Sequence, residues 1–213
     1  MERNISSTES KIVAIYLAAG KSKRFGKNKL QQPLGNVSLG SVALRTALQS
    51  TLDRIVVVID TADELDWIPT GLFSTYQIKW FHTTCMDTAR GQSYSLKCGL
   101  QFAEKLQATA VMVILADQPF ISVDMINKLI EQHTIHPDTM FVAATFSNVP
   151  CPPILFTSSM FPKLFQLKGD NGARQLLQHE SEKGQFVPFS DSLAFFDIDT
   201  VTDYQKIRNS LLH

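Results

Sequence analysis

The chain has 213 residues, 44% of them hydrophobic and 19% charged, and its 20 basic residues balance 20 acidic ones. That is a globular composition with enough length for one large core, and it lacks the basic excess of a general nucleic-acid binder. No run reaches the roughly 18 apolar residues of a membrane helix, and Cys85, Cys98 and Cys151 are odd in number without zinc-ligand spacing, which fits a reduced, cytoplasmic protein.

The polar start, MERNISSTES, has no apolar core segment and reads as a flexible leader over 1–11, ahead of a single domain over 12–213. Apolar, β-branched runs then predict strands at 11–18, 54–60, 76–81, 110–116 and 139–145. The strongest of these are apolar almost throughout, as suits strands of a parallel sheet covered on both faces. Helical periodicity falls between them, at 38–49, 62–74, 92–106 and 122–133, with Ser122 as N-cap of the last. Alternation of this kind builds βαβ units, and right-handed crossovers place helices on both faces, giving a three-layer α/β/α fold with a mostly parallel sheet. From 146 to 169 the pattern breaks, with prolines at 150, 152, 153 and 162, and we expect an insertion holding a short strand at 154–156 and a short helix or two. A helix at 170–180, strands at 185–189 and 193–199, and a closing helix at 201–212 capped by Thr200 or Thr202 complete the reading.

Two loops carry the chemistry. The first strand runs into AAGKSKRFGKNKL, a loop dense in positive charge. It is not a Walker loop, because five residues separate Gly20 from Gly26 and Lys27 is followed by Asn28. Small residues at Ala18, Ala19 and Gly20 let the backbone come close to an anion at the carboxyl end of a strand, and Arg24 and Lys29 are long enough to reach over it. The strand at 110–116 ends in Asp117, at the same sheet edge. A turn before Pro119 accounts for an aspartate there, but Ser122 already supplies the cap, leaving Asp117 free as a hard oxygen ligand facing the basic loop. Asp197 and Asp199, at the end of a late predicted strand, offer a second carboxylate or ordinary turn chemistry. In GQSYSLKCGL, Ser93 or Ser95 either caps a helix or meets a base or ribose. In GDNGAR, Asp170 serves equally as a helix cap.

With these segments quoted, LAAGKSKRFGKNKL resembles the signature of nucleotidyltransferases that activate sugars, isoprenoid precursors and molybdenum cofactor. ADQP at 116–119, GDNGAR at 169–174 and DIDTVTD at 197–203 are similar to the molybdenum cofactor cytidylyltransferase branch, accessory proteins of molybdenum hydroxylases such as xanthine dehydrogenase. The resemblance implies a Rossmann-like nucleotidyltransferase domain that moves CMP from CTP to the phosphate of molybdopterin and releases pyrophosphate. It implies Mg²⁺ on Asp117 with Asp197 or Asp199, and nucleotide contacts from Leu17, Ala18, Ala19, Gly20, Arg24, Lys29, Ser93 and Ser95. Lys29, Arg24 and Asp117 become the catalytic set, and Gly169, Asp170, Gly172 and Arg174 the acceptor side. A transient complex with a hydroxylase is implied as well, with no nucleic-acid or membrane partner. An alanine at position 19 goes with cytidine in the resembling families, so CTP is expected over GTP. The alternatives are a nucleotidyltransferase that uses GTP or a sugar phosphate, and a cofactor-carrying chaperone without turnover. One departure stands out: the approach to Ile154-Leu155-Phe156 holds no glycine where the family usually has several.

Overall fold

In the computed structural model, residues 11–210 are described, apart from Lys23 and Asn171. The expected leader over 1–11 therefore lies outside the described residues except for Lys11, as does the end of the closing helix.

The elements in chain order are β1 (Ile12–Leu17), β2 (Pro33–Leu34), β3 (Val37–Ser38), α1 (Leu39–Gln49), β4 (Arg54–Asp60), α2 (Thr70–Thr75), β5 (Trp80–Cys85), α3 (Gln92–Lys105), β6 (Ala110–Leu115), α4 (Val123–Ile135), β7 (Phe141–Phe146), β8 (Val149–Thr157), α5 (Phe161–Gln166), α6 (Gln175–His179), β9 (Gly184–Pro188) and α7 (Val201–Ser210). Seven strands form one sheet in the order β5-β4-β1-β6-β8-β7-β9. The pairs β1–β4, β1–β6, β4–β5 and β7–β9 are parallel, and only β8 runs against its neighbours among these strands.

Alternation along the strands divides the core into two layers. Ala14 and Tyr16 of β1 join Leu44 and Leu48 of α1 and Ile126 and Leu129 of α4 on one face. Ile15 and Leu17 face the other way, against Leu96 and Leu100 of α3 and Leu164 of α5. All six residues of β1 are buried, as an unbroken apolar run requires when helices cover both faces. Helix α3 lies unusually close to the sheet because residue 99 is glycine. A Cβ there would meet Ile15 Cγ2 at 2.4 Å and Val58 Cγ2 at 2.9 Å. Gly99→Ala gains about 1 kcal/mol of helix propensity but overpacks two branched core side chains, which costs about 1–3 kcal/mol. We expect net destabilisation, read as a melting temperature a few degrees lower in a thermal circular-dichroism scan.

Several expectations need correction. The predicted helix at 62–74 is helical only over Thr70–Thr75. Its apolar spacing belongs instead to a loop in which Leu65 takes φ +63° and buried Trp67 donates its indole N–H to Asp63. The strand placed at 76–81 is Trp80–Cys85, an edge strand whose alternating burial hides the usual apolar run. The short strand expected at 154–156 within the insertion at 146–169 is part of a longer one. Ser147 and Asn148, both at positive φ, make a two-residue hairpin turn into the nine-residue β8, which carries a cis Pro152–Pro153 bond. The helix at 170–180 is reduced to Gln175–His179. The strand at 193–199 is absent: Leu193–Phe195 is a single 3₁₀ turn, and its aromatics were the misleading signal, because Phe195 stacks on Phe146 at 5.7 Å. Thr200 is the cap of α7, accepting from the Asp203 N–H at 3.1 Å while Asp203 accepts from the Thr200 N–H at 2.8 Å.

Candidate active site

The chain winds outward from β1 through α1 to β4 and β5, then returns through α3, on the opposite face, to β6 on the other side of β1. Beyond the carboxyl ends of β1 and β6, paired through Leu17 and Leu115, the crossovers part and a crevice opens. It measures about 400 Å³. Its floor is Leu17, Ala18, Ala19 and Gly20, all on the cleft lining with Arg24, Lys29, Ser95, Asp117, Asp170 and Asp199.

The basic loop is built to aim Lys29. Ser22, at φ +46°, accepts from the N–H groups of Phe25 and Gly26 through its carbonyl, and its hydroxyl accepts from the Lys29 N–H at 3.3 Å. Asn28 then caps a short 3₁₀ turn that begins at Lys29. Lys29 Nζ donates to Asp117 Oδ2 at 2.7 Å and to Asp199 Oδ1 at 3.1 Å, with its side chain only 8% exposed. Burial works against its charge, but the field of Asp117 and the hydrogen bonds to both carboxylates outweigh it and hold the ammonium above its ordinary pKa. Arg24 Nη2 takes the second oxygen of Asp199 at 2.8 Å from a far more open position.

Asp199 arrives here without a strand to carry it. The Ile198 N–H donates to the Asp117 carbonyl at 3.0 Å and the Ile198 side chain is fully buried, which pins the late segment beside the loop after β6. Asp197 stands off the cleft lining. Loss of water around its carboxyl, then the charges of Asp117 and Asp199, push its pKa up to about 6, against a hydrogen bond from Gln118. Among the described residues no three metal-ligating side chains are gathered into a cage. Asp117 and Asp199 do converge on one point, and a cation already occupies it. Two carboxylates so aimed fit a hard divalent ion once the ammonium withdraws.

The remaining predicted residues divide between the cleft and its surroundings. The Ala18 N–H donates to the Val58 carbonyl at 2.9 Å and so extends the sheet ladder. Ala19 and Gly20 carry the N–H groups that have no acceptor among the described residues. Ser93 is fully buried behind the cleft, where its N–H and hydroxyl both donate to the Gly169 carbonyl, at 3.1 and 2.7 Å. That contact joins the start of α3 to the GDNGAR segment, and only glycine allows it at position 91. Gly91 sits at φ +117°, and a Cβ there would lie 2.3 Å from the Gly169 carbonyl carbon. Gly172 and Arg174 line a second, more apolar cavity of about 420 Å³ with Pro152 and Ile154. Leu17, Gln92 and Leu115 face both cavities.

Sequence reasoning missed Thr88 and Gln92 of the cleft wall and Asp60 behind it. Asp60 ends β4 at the same sheet edge and accepts a hydrogen bond from the Thr88 hydroxyl, which lowers its pKa. The strand-end rule that singled out Asp117 applies equally to Asp60. Thr88 and Gln92 carry no signal of their own beyond the neighbouring Gly91.

The model of the MobA-like NTP transferase domain family matches residues 14–184. The purine catabolism protein PucB of Bacillus subtilis (strain 168) is 38% identical over 203 residues, 94% of this chain and 97% of that protein. Nicotine blue oxidoreductase of Paenarthrobacter nicotinovorans is 25% identical over 205 residues, covering 92% of this chain and 96% of that protein. Among solved structures, a nucleotidyl transferase from Methanothermobacter thermautotroptrophicus superposes with a TM-score of 0.74 at 17% identity, over 95% of this chain and 98% of that one, a likeness of fold.

Proposed function

The chain belongs to the MobA-like NTP transferase family, and from that premise we propose that this nucleotidyltransferase moves CMP from CTP to the terminal phosphate of molybdopterin, releasing pyrophosphate. The product would serve the maturation of a molybdenum hydroxylase such as xanthine dehydrogenase, in the cytoplasm, and the likeness to PucB supports a place in purine catabolism. The unit responsible is taken as one domain over 12–213. The observation that carries the reading is Lys29 held between Asp117 and Asp199 at the open end of β1 and β6.

In this reading an acceptor phosphate oxygen attacks the α-phosphorus, the new P–O bond forms, and the bond to the β-phosphate bridging oxygen breaks as pyrophosphate leaves. The N–H groups of Ala19 and Gly20 meet the polyphosphate, Arg24 neutralises the leaving group, and Lys29 stabilises charge at the α-phosphate. Asp117 with Asp199 or Asp197 would hold Mg²⁺, which would supply charge neutralisation to the reacting phosphates. Ser95 faces the nucleotide, and Asp170 lies where the two substrates meet. The second cavity, apolar and edged by Gly172 and Arg174, suits a flat heterocycle whose phosphate Arg174 meets as a planar fork. Ser93 and Gly169 act through the joint they form, holding the acceptor segment against α3.

Base preference rests on Ala19, buried on the cleft floor, whose Cβ narrows the space for a purine. Pyrophosphate release should therefore be faster with CTP than with GTP or ATP when molybdopterin is the acceptor. A GTP preference would reverse the base assignment. A preference for sugar phosphate over molybdopterin would reverse the acceptor. Tight binding of nucleotide and cofactor with no pyrophosphate from any nucleotide would identify a carrier without turnover.

A further inference from the structure

We propose that Lys29 is an internal stand-in for the site's divalent cation, keeping the Asp117–Asp199 pair closed to metal until a nucleotide polyphosphate draws its ammonium away. The inference rests on the reading of the cleft as a nucleotidyl-transfer site and adds an order of binding to it.

Three observations support it. The ammonium touches both carboxylates at once, at 2.7 and 3.1 Å, in the position where their oxygens converge. Its approach is fixed at the base, through the Ser22 hydroxyl and the Asn28 cap, and the side chain is nearly dry at 8% exposure. Arg24 takes the remaining oxygen of Asp199, so the two carboxylates that meet the ammonium are matched by two cations.

A carboxylate pair already matched by two cations attracts a free divalent ion weakly. For the metal to enter alone, the ammonium must leave both partners while still largely buried, and an unpaired charge in such a place is costly. A polyphosphate alters this balance, because it offers Lys29 and Arg24 new anionic partners in the same cleft and frees both carboxylates together. The carboxylates are kept aimed in the meantime, since the ammonium holds them as the metal would.

The test is Mn²⁺ binding, read by electron paramagnetic resonance of the free ion, on folded protein without nucleotide. Wild type should bind Mn²⁺ weakly, and Lys29→Met, which keeps most of the unbranched stem and removes the charge, should bind it about tenfold tighter or more, the scale of one charge removed at contact distance. Lys29→Gln should behave in the same way and carries the test if the methionine variant does not fold. Adding α,β-methylene-CTP, which cannot be cleaved, should raise Mn²⁺ binding by wild type above that of the free nucleotide. Equal Mn²⁺ affinity in wild type and variant, or tight binding by wild type alone, would overturn the inference. Absence of pyrophosphate release, by contrast, bears on the transfer reaction and leaves these affinities unaffected.

Discussion

Lys29→Ala is expected to lower kcat for pyrophosphate release by about 10²–10³, the loss seen when one preorganised charge-stabilising donor is removed from a transition state, or roughly 3–4 kcal/mol of barrier. Two roles compete to explain such a loss. Lys29 neutralises Asp117 and Asp199 in the free protein, so its removal also leaves two carboxylates facing each other. If that were the whole of its role, saturating divalent metal would replace the missing charge and restore turnover in the variant. If Lys29 stabilises charge at the α-phosphate, metal would restore thermal stability and leave kcat low. Measuring both quantities across a metal titration separates the two, and near-normal kcat in the folded variant would remove Lys29 from the catalytic set.

Asp117→Asn is expected to cost a similar factor in kcat, about 10²–10³, and to raise the metal concentration needed for half-maximal rate. The substitution is nearly isosteric. Its backbone carbonyl accepts from the Ile198 N–H at 3.0 Å and survives the change, and the Lys29 ammonium keeps Asp199 as a charged partner. The carboxylate, not the turn, is thereby under test. A folded Asp117→Asn enzyme with an unchanged rate and metal dependence would show that the aspartate only shapes the turn before Pro119. The same exchange at Asp199 is less clean, because its two oxygens serve Lys29 and Arg24 separately.

How legible these features were depends on how each residue reaches its place. Lys29 and Asp117 follow strands buried on both faces, whose unbroken apolar runs mark their ends clearly, and the end of a parallel strand is where ligands gather. For Asp199 the sequence predicts the end of a strand, whereas the buried Ile198 and one hydrogen bond to Asp117 position it beside Lys29. Nothing in local propensity encodes a tether between residues so distant in the chain. The loop at 61–69 misleads for a related reason: Leu65, Ile68 and Leu72 recur at helical spacing, but tertiary packing buries Trp67 and Ile68 with Leu65 at positive φ. Strand β8 was underestimated because prolines argue against a central strand. Here Pro152 and Pro153 fall where the pairing with β7 shifts register, between Ala143 and Ala144, Pro150 pairs with Thr145 next to the hairpin turn, and the ladder with β6 begins only at Ile154.

The contact between Gly91 and Gly169 leaves no slack for even a methyl group. One of these residues borders the first cleft, and the other opens the segment that edges the second cavity. If the two cavities hold the two reactants of the proposed transfer, an occupant that displaced this pinch of main chain would be felt in both. Thermodynamic linkage would make any such coupling equal in both directions.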